Sequence, residues 1–193
     1  MSRRTEMLEL AILGLLQEAP LHGYELRKRV HRVLGTVRAL SYGTLYPRLR
    51  EMVVRGHLVE AERPATGRRA RISYALTAAG QQRFTELLSS AGPSAWEDDA
   101  FAVHFAFFGR TDASVRLRIL EGRRARLEER LARIRHGGPV LGGITKHDTY
   151  TTELYRHGVE SAEADLRWIT RMIEAERYTH DRAATPRGAE EKE

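Results

Sequence analysis

The chain has 193 residues, which is enough for one domain with a sizeable core or for two smaller ones. It contains no cysteine, which excludes disulfides, thiolate metal sites and a cysteine nucleophile. The apolar run behind the N-terminus is short and is interrupted by Glu6, Glu9 and Gln17, so neither a signal peptide nor a membrane span is predicted. We therefore expect a cytoplasmic protein with no membrane partner.

The net charge of +6 is unevenly distributed along the chain. Residues 1–90 contain 15 Lys and Arg against 8 Asp and Glu, a net +7, whereas residues 91–193 contain 17 against 18, a net −1. A basic module of this kind is what a phosphate-backbone binder needs, because neutralising phosphates releases counterions. The alternative is a solvated surface rich in arginine, and charge alone does not choose between them.

Apolar residues at helical spacing predict two helices at the start of the chain. Thr5 is the predicted N-cap of the first, which ends before Pro20. The second is short and basic, has Tyr24 on its apolar side, and ends at Gly35.

The third predicted helix covers residues 42–55, with Gly56 as its stop. It carries Gly43 and Pro47 near its start. Pro47 is harmless if Thr44 caps the helix, whereas a cap at Ser41 costs one hydrogen bond of the ladder. Either way, the leading end of the helix stays slim, as a helix that enters a major groove requires.

Helical geometry divides the side chains of this third helix between two faces. One face is the predicted core stripe of Leu45, Leu49 and Met52, and the opposite face carries Gly43, Pro47, Arg50 and Glu51. The candidates for contacts with phosphates or base edges are Thr44, Tyr46, Pro47, Arg48 and Arg50. For Tyr46 and for Tyr24, half-buried packing is the alternative interpretation.

A β-hairpin is predicted over residues 57–76, with a turn at Pro64 to Gly67 and alternating apolar residues in its second strand. Thr77 is the predicted cap of a further helix that reaches about Leu88. Three helices, a basic hairpin and a helix are the order of a winged helix-turn-helix domain, which we assign to residues 1–90.

The second half predicts a helical domain over residues 91–180 and a disordered tail over residues 181–193. Its long helices are expected at about 112–136 and 145–178, so the complete fold is mainly α with a small β-hairpin wing. Their apolar seams are too narrow for a complete monomeric core, which indicates dimerisation. The predicted dimerisation residues are Leu117, Leu120, Leu127, Leu131, Ile134, Leu166, Ile169 and Ile173.

Three motifs together resemble the PadR family of bacterial transcriptional regulators. They are "LHGYEL" (residues 21–26), "SYGTLYPRLREMVVRGHLVE" (41–60) and "RRARISYALTAAG" (68–80). The resemblance implies a homodimeric repressor without a cofactor, dimerised through its C-terminal helices. Its recognition helix would enter the major groove of double-stranded DNA and its wing would face the minor groove. A two-fold dimer also requires an inverted-repeat operator.

The resemblance assigns roles to residues of the N-terminal half. His22, Gly23 and Tyr24 would support the second helix near the DNA backbone. The reading end would be formed by Ser41, Gly43, Thr44, Tyr46, Pro47 and Arg48, and the wing contacts by Arg68, Arg69 and Arg71. The wing departs from the frequent family pattern, because Arg69-Ala70-Arg71-Ile72 stands where a basic residue and paired aromatics are common.

The resemblance also implies a response to a small aromatic effector, since some family members sense phenolic acids or other planar aromatics. The candidate lining of an effector pocket between the domains is Trp96, Phe101, Phe105, Phe107 and Phe108. Aromatic residues at helical spacing are also typical of a core or a dimer interface, which is the alternative interpretation.

No pattern in the sequence indicates an enzyme. His147 and His157 are ten residues apart, whereas ligands on one helix face are three or four apart, so no metal site is predicted. The segment "HGGPVLGG" lacks the lysine and hydroxyl residue of a phosphate loop. The rival function is a helical adaptor that uses the winged domain to dock a protein, and this adaptor would show no salt-sensitive DNA binding.

Overall fold

The computed structural model describes residues 3–34, 42–63, 71–137 and 149–184. These residues form seven helices and one three-stranded antiparallel sheet, so the predicted mainly α fold with a small wing is confirmed. The chain divides into two compact units, residues 1–112 and 113–193. No helix among the described residues is long and apolar enough to span a bilayer.

Five helices and the three strands lie in the part of the first unit that the structure describes. The helices are α1 (Arg3–Leu15), α2 (Gly23–Val33), α3 (Tyr42–Val54), α4 (Ala78–Ser89) and α5 (Asp98–Ala106), and the strands are β1 (Leu21–His22), β2 (Leu58–Arg63) and β3 (Arg71–Leu76). Single 3₁₀ turns lie at Pro93–Trp96 and Phe108–Arg110. Thr5 lies inside α1 and is not its cap, because the helix already begins at Arg3.

The sheet has the strand order β1-β3-β2. β2 and β3 are the predicted wing, paired from Leu58 opposite Leu76 to Arg63 opposite Arg71. The sequence analysis missed β1, whose Leu21 pairs with Tyr74. A two-residue strand is too short to display the alternation by which strands are recognised. The predicted turn of the hairpin, Pro64 to Gly67, lies outside the described residues.

The end of α3 and the start of α4 are fixed by local signals. The predicted stop at Gly56 is confirmed, since α3 ends at Val54 and Gly56 has a φ of 75°, which favours glycine. The predicted cap at Thr77 is also confirmed, because its hydroxyl accepts a hydrogen bond of 3.0 Å from the amide of Gly80. The same hydroxyl donates to the carbonyls of Gly56 and His57, so it ties the first turn of α4 to the start of the wing.

The first compact unit extends to Asp112, beyond Ser90, where the predicted DNA-binding domain ends. The physical reason is that α5 packs on α1 and α2 and completes the core. Phe107 is buried and meets the ring of Phe84 edge to face, with 5.6 Å between ring centroids. A Cβ at Gly14 of α1 would lie 2.3 Å from the ring of Phe107, so the two are in direct contact.

The described residues of the second unit form two long helices, α6 (Ala113–Gly137) and α7 (Thr149–Ala184), which pack against each other. Arg116 of α6 pairs with Glu176 of α7 at 2.8 Å, and Arg135 pairs with Glu163 at 2.7 Å, so the helices run antiparallel. Residues 181–184 continue α7, although the tail was predicted to begin at residue 181. The predicted tail residues 185–193 lie outside the described residues.

Candidate nucleic-acid interface

The side of α3 opposite the core carries several exposed residues. Leu45, Leu49 and Met52 are buried as predicted, whereas Thr44, Pro47, Arg50 and Val54 are exposed. Pro47 occupies the sixth helical position because α3 begins at Tyr42. Thr44 therefore lies inside α3 and is not its cap, and the hydrogen bond that the backbone of residue 47 would donate to the carbonyl of Gly43 is lost.

The neighbouring helix α2 presents a basic surface. Lys28, His31 and Arg32 are exposed, and Arg29 forms an ion pair of 3.0 Å with Glu25. The hydrogen bond from Arg29 lowers the pKa of the Glu25 carboxyl. Tyr24 was predicted on the apolar side but is 68% exposed, because it follows the buried Gly23 at the N-terminus of the helix and points away from the core.

A close contact at Gly23 joins α2, α3 and the wing. A Cβ on Gly23 would lie 3.2 Å from the ring of Tyr46 and 3.5 Å from that of Tyr74. Tyr46 is therefore half-buried, in agreement with the packing alternative. Burial, together with the nearby Glu60, raises the pKa of Tyr74. The residues of the "HGY", "LYP" and "SYAL" segments thus meet at one point of the fold.

Arg48 corrects the predicted reading end. Its side chain is only 6% exposed, and its guanidinium donates to the buried carboxylate of Glu9 and, at 2.6 Å, to Glu51. Position 48 lies about 40° around the helix from Met52, at the edge of the buried side, and the buried acid on α1 draws it inward. Arg48 is therefore removed from the residues proposed to touch DNA.

Of the other residues predicted to contact DNA, the structure describes only some. His22 is the half-buried residue that precedes α2, and Gly43 lies in the first turn of α3. Ser41, Arg68 and Arg69 lie outside the described residues. Arg71 begins β3, at the end of the hairpin that leads to the wing tip.

A cleft of about 810 Å³ lies in the first unit between α1, α4 and α5. The predicted aromatics Trp96, Phe101, Phe105, Phe107 and Phe108 do not line it; its apolar lining includes Leu8, Leu10, Leu34 and Leu87. The rings of Phe101, Phe105 and Phe108 instead pack on one another, with centroids 5.6 and 4.9 Å apart. Their apolar surfaces are used for mutual packing, as the alternative interpretation expected.

His104 gives this cleft an unusual polar group. Its ring is 9% exposed, and among the residues that the structure describes its Nδ1 has no hydrogen-bond partner. Burial lowers the pKa of His104 to about 4, so the imidazole is neutral at physiological pH. The cleft also contains charged side chains, namely Arg4, Glu6, Arg83, Glu97 and Asp99.

The predicted dimerisation residues are mostly buried within the single chain. Leu120, Leu127, Leu131, Ile169 and Ile173 are buried, and Leu117, Ile134 and Leu166 are half-buried. As a set they therefore do not form an exposed surface, because the predicted seams are largely used inside the protomer.

A second apolar stripe on α7 was missed by the sequence analysis. Tyr150, Leu154 and Trp168 are exposed and lie within about 40° of one another around the helix. The buried Ile169 and Ile173 lie roughly 100° away on the same helix. The signal was present in the sequence as the spacing of three and four residues through 150, 154, 157, 161, 164 and 168, which contains no Asp, Glu, Lys or Arg.

Within the described ranges, no three His, Asp or Glu side chains are grouped as metal ligands would be.

Comparisons with solved structures give weak overall similarity. Bacillus subtilis PadR in complex with operator DNA is 18% identical, with 88% of this chain and 98% of that chain covered and a TM-score of 0.43. The same protein in complex with p-coumaric acid is 18% identical, with 88% and 98% covered and a TM-score of 0.40. A putative transcriptional regulator from Thermoplasma acidophilum is 29% identical over 43% of this chain and 78% of that chain, with a TM-score of 0.39.

A comparison with sequence models of protein families gives a match within the first unit. No curated protein sequence matches the chain. Residues 12–86 match the sequence model of the transcriptional regulator PadR-like family. The matched range contains α2, α3, α4 up to Glu86 and the whole described sheet. The match covers 75 of the 193 residues, and over this part the chain is similar to the PadR-like family of transcriptional regulators.

Proposed function

We propose that the chain is a sequence-specific DNA-binding repressor that reads an inverted-repeat operator as a homodimer. The observation that carries this proposal is the exposed face of α3, on which Thr44, Pro47 and Arg50 are accessible. Lys28 and Arg32 of the preceding helix add exposed positive charge for the phosphate backbone. A slim helix end that combines a hydroxyl, an apolar ring and a guanidinium suits contacts in a major groove.

The test is a fluorescence anisotropy titration with DNA from the region upstream of the gene, random competitor DNA and several salt concentrations. We expect competitor-resistant binding that weakens steeply as salt is raised. Binding equal to that of random DNA would require a selection from random sequences to find the operator. Absence of binding at low salt would refute DNA recognition and leave the adaptor function.

Two variants distinguish residues that recognise the base sequence from residues that bind the phosphate backbone. Thr44→Ala should reduce the preference for the operator over random DNA, because the hydroxyl is lost from the reading face. Lys28→Gln should weaken both kinds of DNA similarly and reduce the salt slope by about one, since one phosphate contact is removed. If the two variants behaved alike, the division of roles would be wrong.

The proposed dimer uses the exposed stripe of α7. A helix with one buried stripe and a second, exposed apolar stripe has a surface that a second copy can cover. Leu154→Glu places a charge in the stripe and should convert dimers to monomers in sedimentation and lower operator affinity. Thr152→Glu, two residues away on the other side of α7, is the matched control and should remain dimeric.

We further propose that a small aromatic ligand releases the repressor by binding the cleft of the first unit. Support comes from its apolar lining and from His104, whose neutral ring offers a buried nitrogen to a hydroxyl group. Phenol and benzyl alcohol are suitable first probes, and binding should raise the melting temperature of the parent protein but not of His104→Leu. An equal rise in both proteins would move the ligand site elsewhere.

A further inference from the structure

Glu9 lies on α1 and is fully buried. One carboxylate oxygen, Oε2, accepts a hydrogen bond from Nη2 of Arg48 on α3. The other, Oε1, accepts one of 3.2 Å from Nε of Arg83 on α4 and lies 3.7 Å from Nδ1 of His57. A single carboxylate therefore joins α1, α3 and α4 and lies close to the segment before β2.

Both guanidiniums continue from Glu9 toward the surface. Arg48 also donates to Glu51 at 2.6 Å, and Arg83 donates to Glu86 at 3.4 Å. The hydrogen bond from Arg48 lowers the pKa of the Glu51 carboxyl. Each arginine is thus held between a buried acid and a more exposed one, so removal of Glu9 would leave the largely buried Arg48 without its inner partner.

These polar contacts restrain the rotation of α3 about its own axis, which the apolar core does not restrain. Leu45, Leu49 and Met52 hold α3 by hydrophobic contacts, which are not directional. The charge-assisted hydrogen bonds of Arg48 are directional and resist rotation of the helix about its own axis. A rotation of about 20° would move side-chain atoms about 5–6 Å from the axis by about 2 Å, which is enough to break a contact with a base edge.

The position of Arg48 within α3 reinforces this argument. Arg48 directly follows Pro47, where the backbone ladder lacks one hydrogen bond. The N-terminal half of α3, which carries Thr44, is therefore less firmly held by its own backbone than the C-terminal half. A side-chain anchor at position 48 lies where additional restraint has the greatest effect.

We propose that Glu9 is a positioning residue for DNA reading, whose buried carboxylate acts through Arg48 to set the rotation of α3 and so the sequence preference. The inference rests on the proposed reading of DNA by α3. It assigns to the first helix a part in specificity that requires no contact with DNA.

The main test replaces the ion pair by apolar side chains, in the double variant Glu9→Leu/Arg48→Met. A buried ion pair can often be replaced in this way without loss of stability, and Arg83 keeps Glu86 as its partner. We expect a folded protein whose preference for operator over random DNA falls about ten-fold, with unchanged affinity and salt slope on random DNA. A folded double variant with the parent's preference would overturn the proposal, because the pair would then act only on stability.

A second variant covers the case in which the double variant does not fold. Arg48→Lys keeps the charge but cannot span Glu9 and Glu51 with a planar fork, so we expect a smaller loss of preference, about three-fold. An unchanged preference in this variant would count against positioning. A third variant, Glu9→Gln, neutralises the buried acid, and Glu129→Gln is its control matched in charge. Glu129 forms an exposed pair with Arg126 on α6, so Glu129→Gln should bind DNA like the parent.

Amide hydrogen exchange provides a readout without DNA. Glu9→Gln should speed exchange in the N-terminal half of α3 by about ten-fold relative to Glu129→Gln, because the helix loses its anchor. Unchanged exchange in α3 would refute the positioning role. If the parent protein prefers no DNA sequence, the proposed function fails, whereas the exchange result still decides whether Glu9 restrains α3.

Discussion

The buried imidazole of His104 predicts an acid-sensitive first unit. Its pKa in the folded protein is about 4, compared with an ordinary value of 6.5, because burial disfavours the charged ring. Between pH 6.5 and 4 the unfolded chain binds a proton at this residue that the folded protein does not bind. The stabilisation is therefore complete above pH 6.5 and is lost as the pH falls toward 4.

The size of the effect follows from the two pKa values. A difference of about 2.5 units, at about 1.4 kcal/mol per unit, corresponds to about 3 kcal/mol over the whole window. At pH 5 the loss relative to pH 7.5 is about 2 kcal/mol. With a urea dependence of about 2 kcal/mol per molar, the unfolding midpoint should fall by about 1 M between these pH values through this residue alone.

The assay is urea unfolding followed by the fluorescence of Trp96, in a Trp168→Phe background so that the signal reports on the first unit. His104→Gln should lose this part of the pH dependence. Its urea midpoint should therefore fall less between pH 7.5 and pH 5 than the midpoint of the parent does. His31→Gln, which removes an exposed histidine of α2, is the matched control. Parallel pH profiles for the parent and His104→Gln would show that His104 is not held neutral by burial.

Two further substitutions test the packing of the first unit. Thr77→Val removes the cap of α4 and the hydrogen bonds to the carbonyls of Gly56 and His57. It should therefore lower the free energy of unfolding by about 1–2 kcal/mol. The control Thr85→Val, on the exposed side of α4, should lower it by less. Gly14→Ala places a methyl group against the ring of Phe107 and should cost about 1–3 kcal/mol in the same assay, with recovery in the double variant Gly14→Ala/Phe107→Leu. Equal stability of Gly14→Ala and the parent would contradict this contact.

Local signals explain the part of the fold that could be predicted. The spacing of Leu45, Leu49 and Met52, the glycine at position 56 and the hydroxyl at position 77 each act within a few residues, so they can be read directly from the sequence. The order of helices and strands in the first unit follows from such signals.

The errors in the predicted site come from contacts between distant parts of the chain. Arg48 was placed on the reading end because nothing nearby in sequence reveals Glu9, which lies 39 residues earlier. The compact unit extends past Ser90 because Phe107 packs back on α1, which no signal near Ser90 reveals. On α7, one apolar stripe was recognised and the second was overlooked because its exposed members are interrupted by small and polar residues.

The pairing of β1 with β3 has a consequence for how the domain forms during synthesis. His22 pairs with Ser73, so α2 and α3 lie inside a closed loop of about 50 residues. Ribosomes add residues one at a time, and the sheet that closes this loop cannot form until the end of β3 has left the exit tunnel. The two helices are thus expected to dock late and together, and a truncated chain that ends before β3 would expose their apolar faces to aggregation.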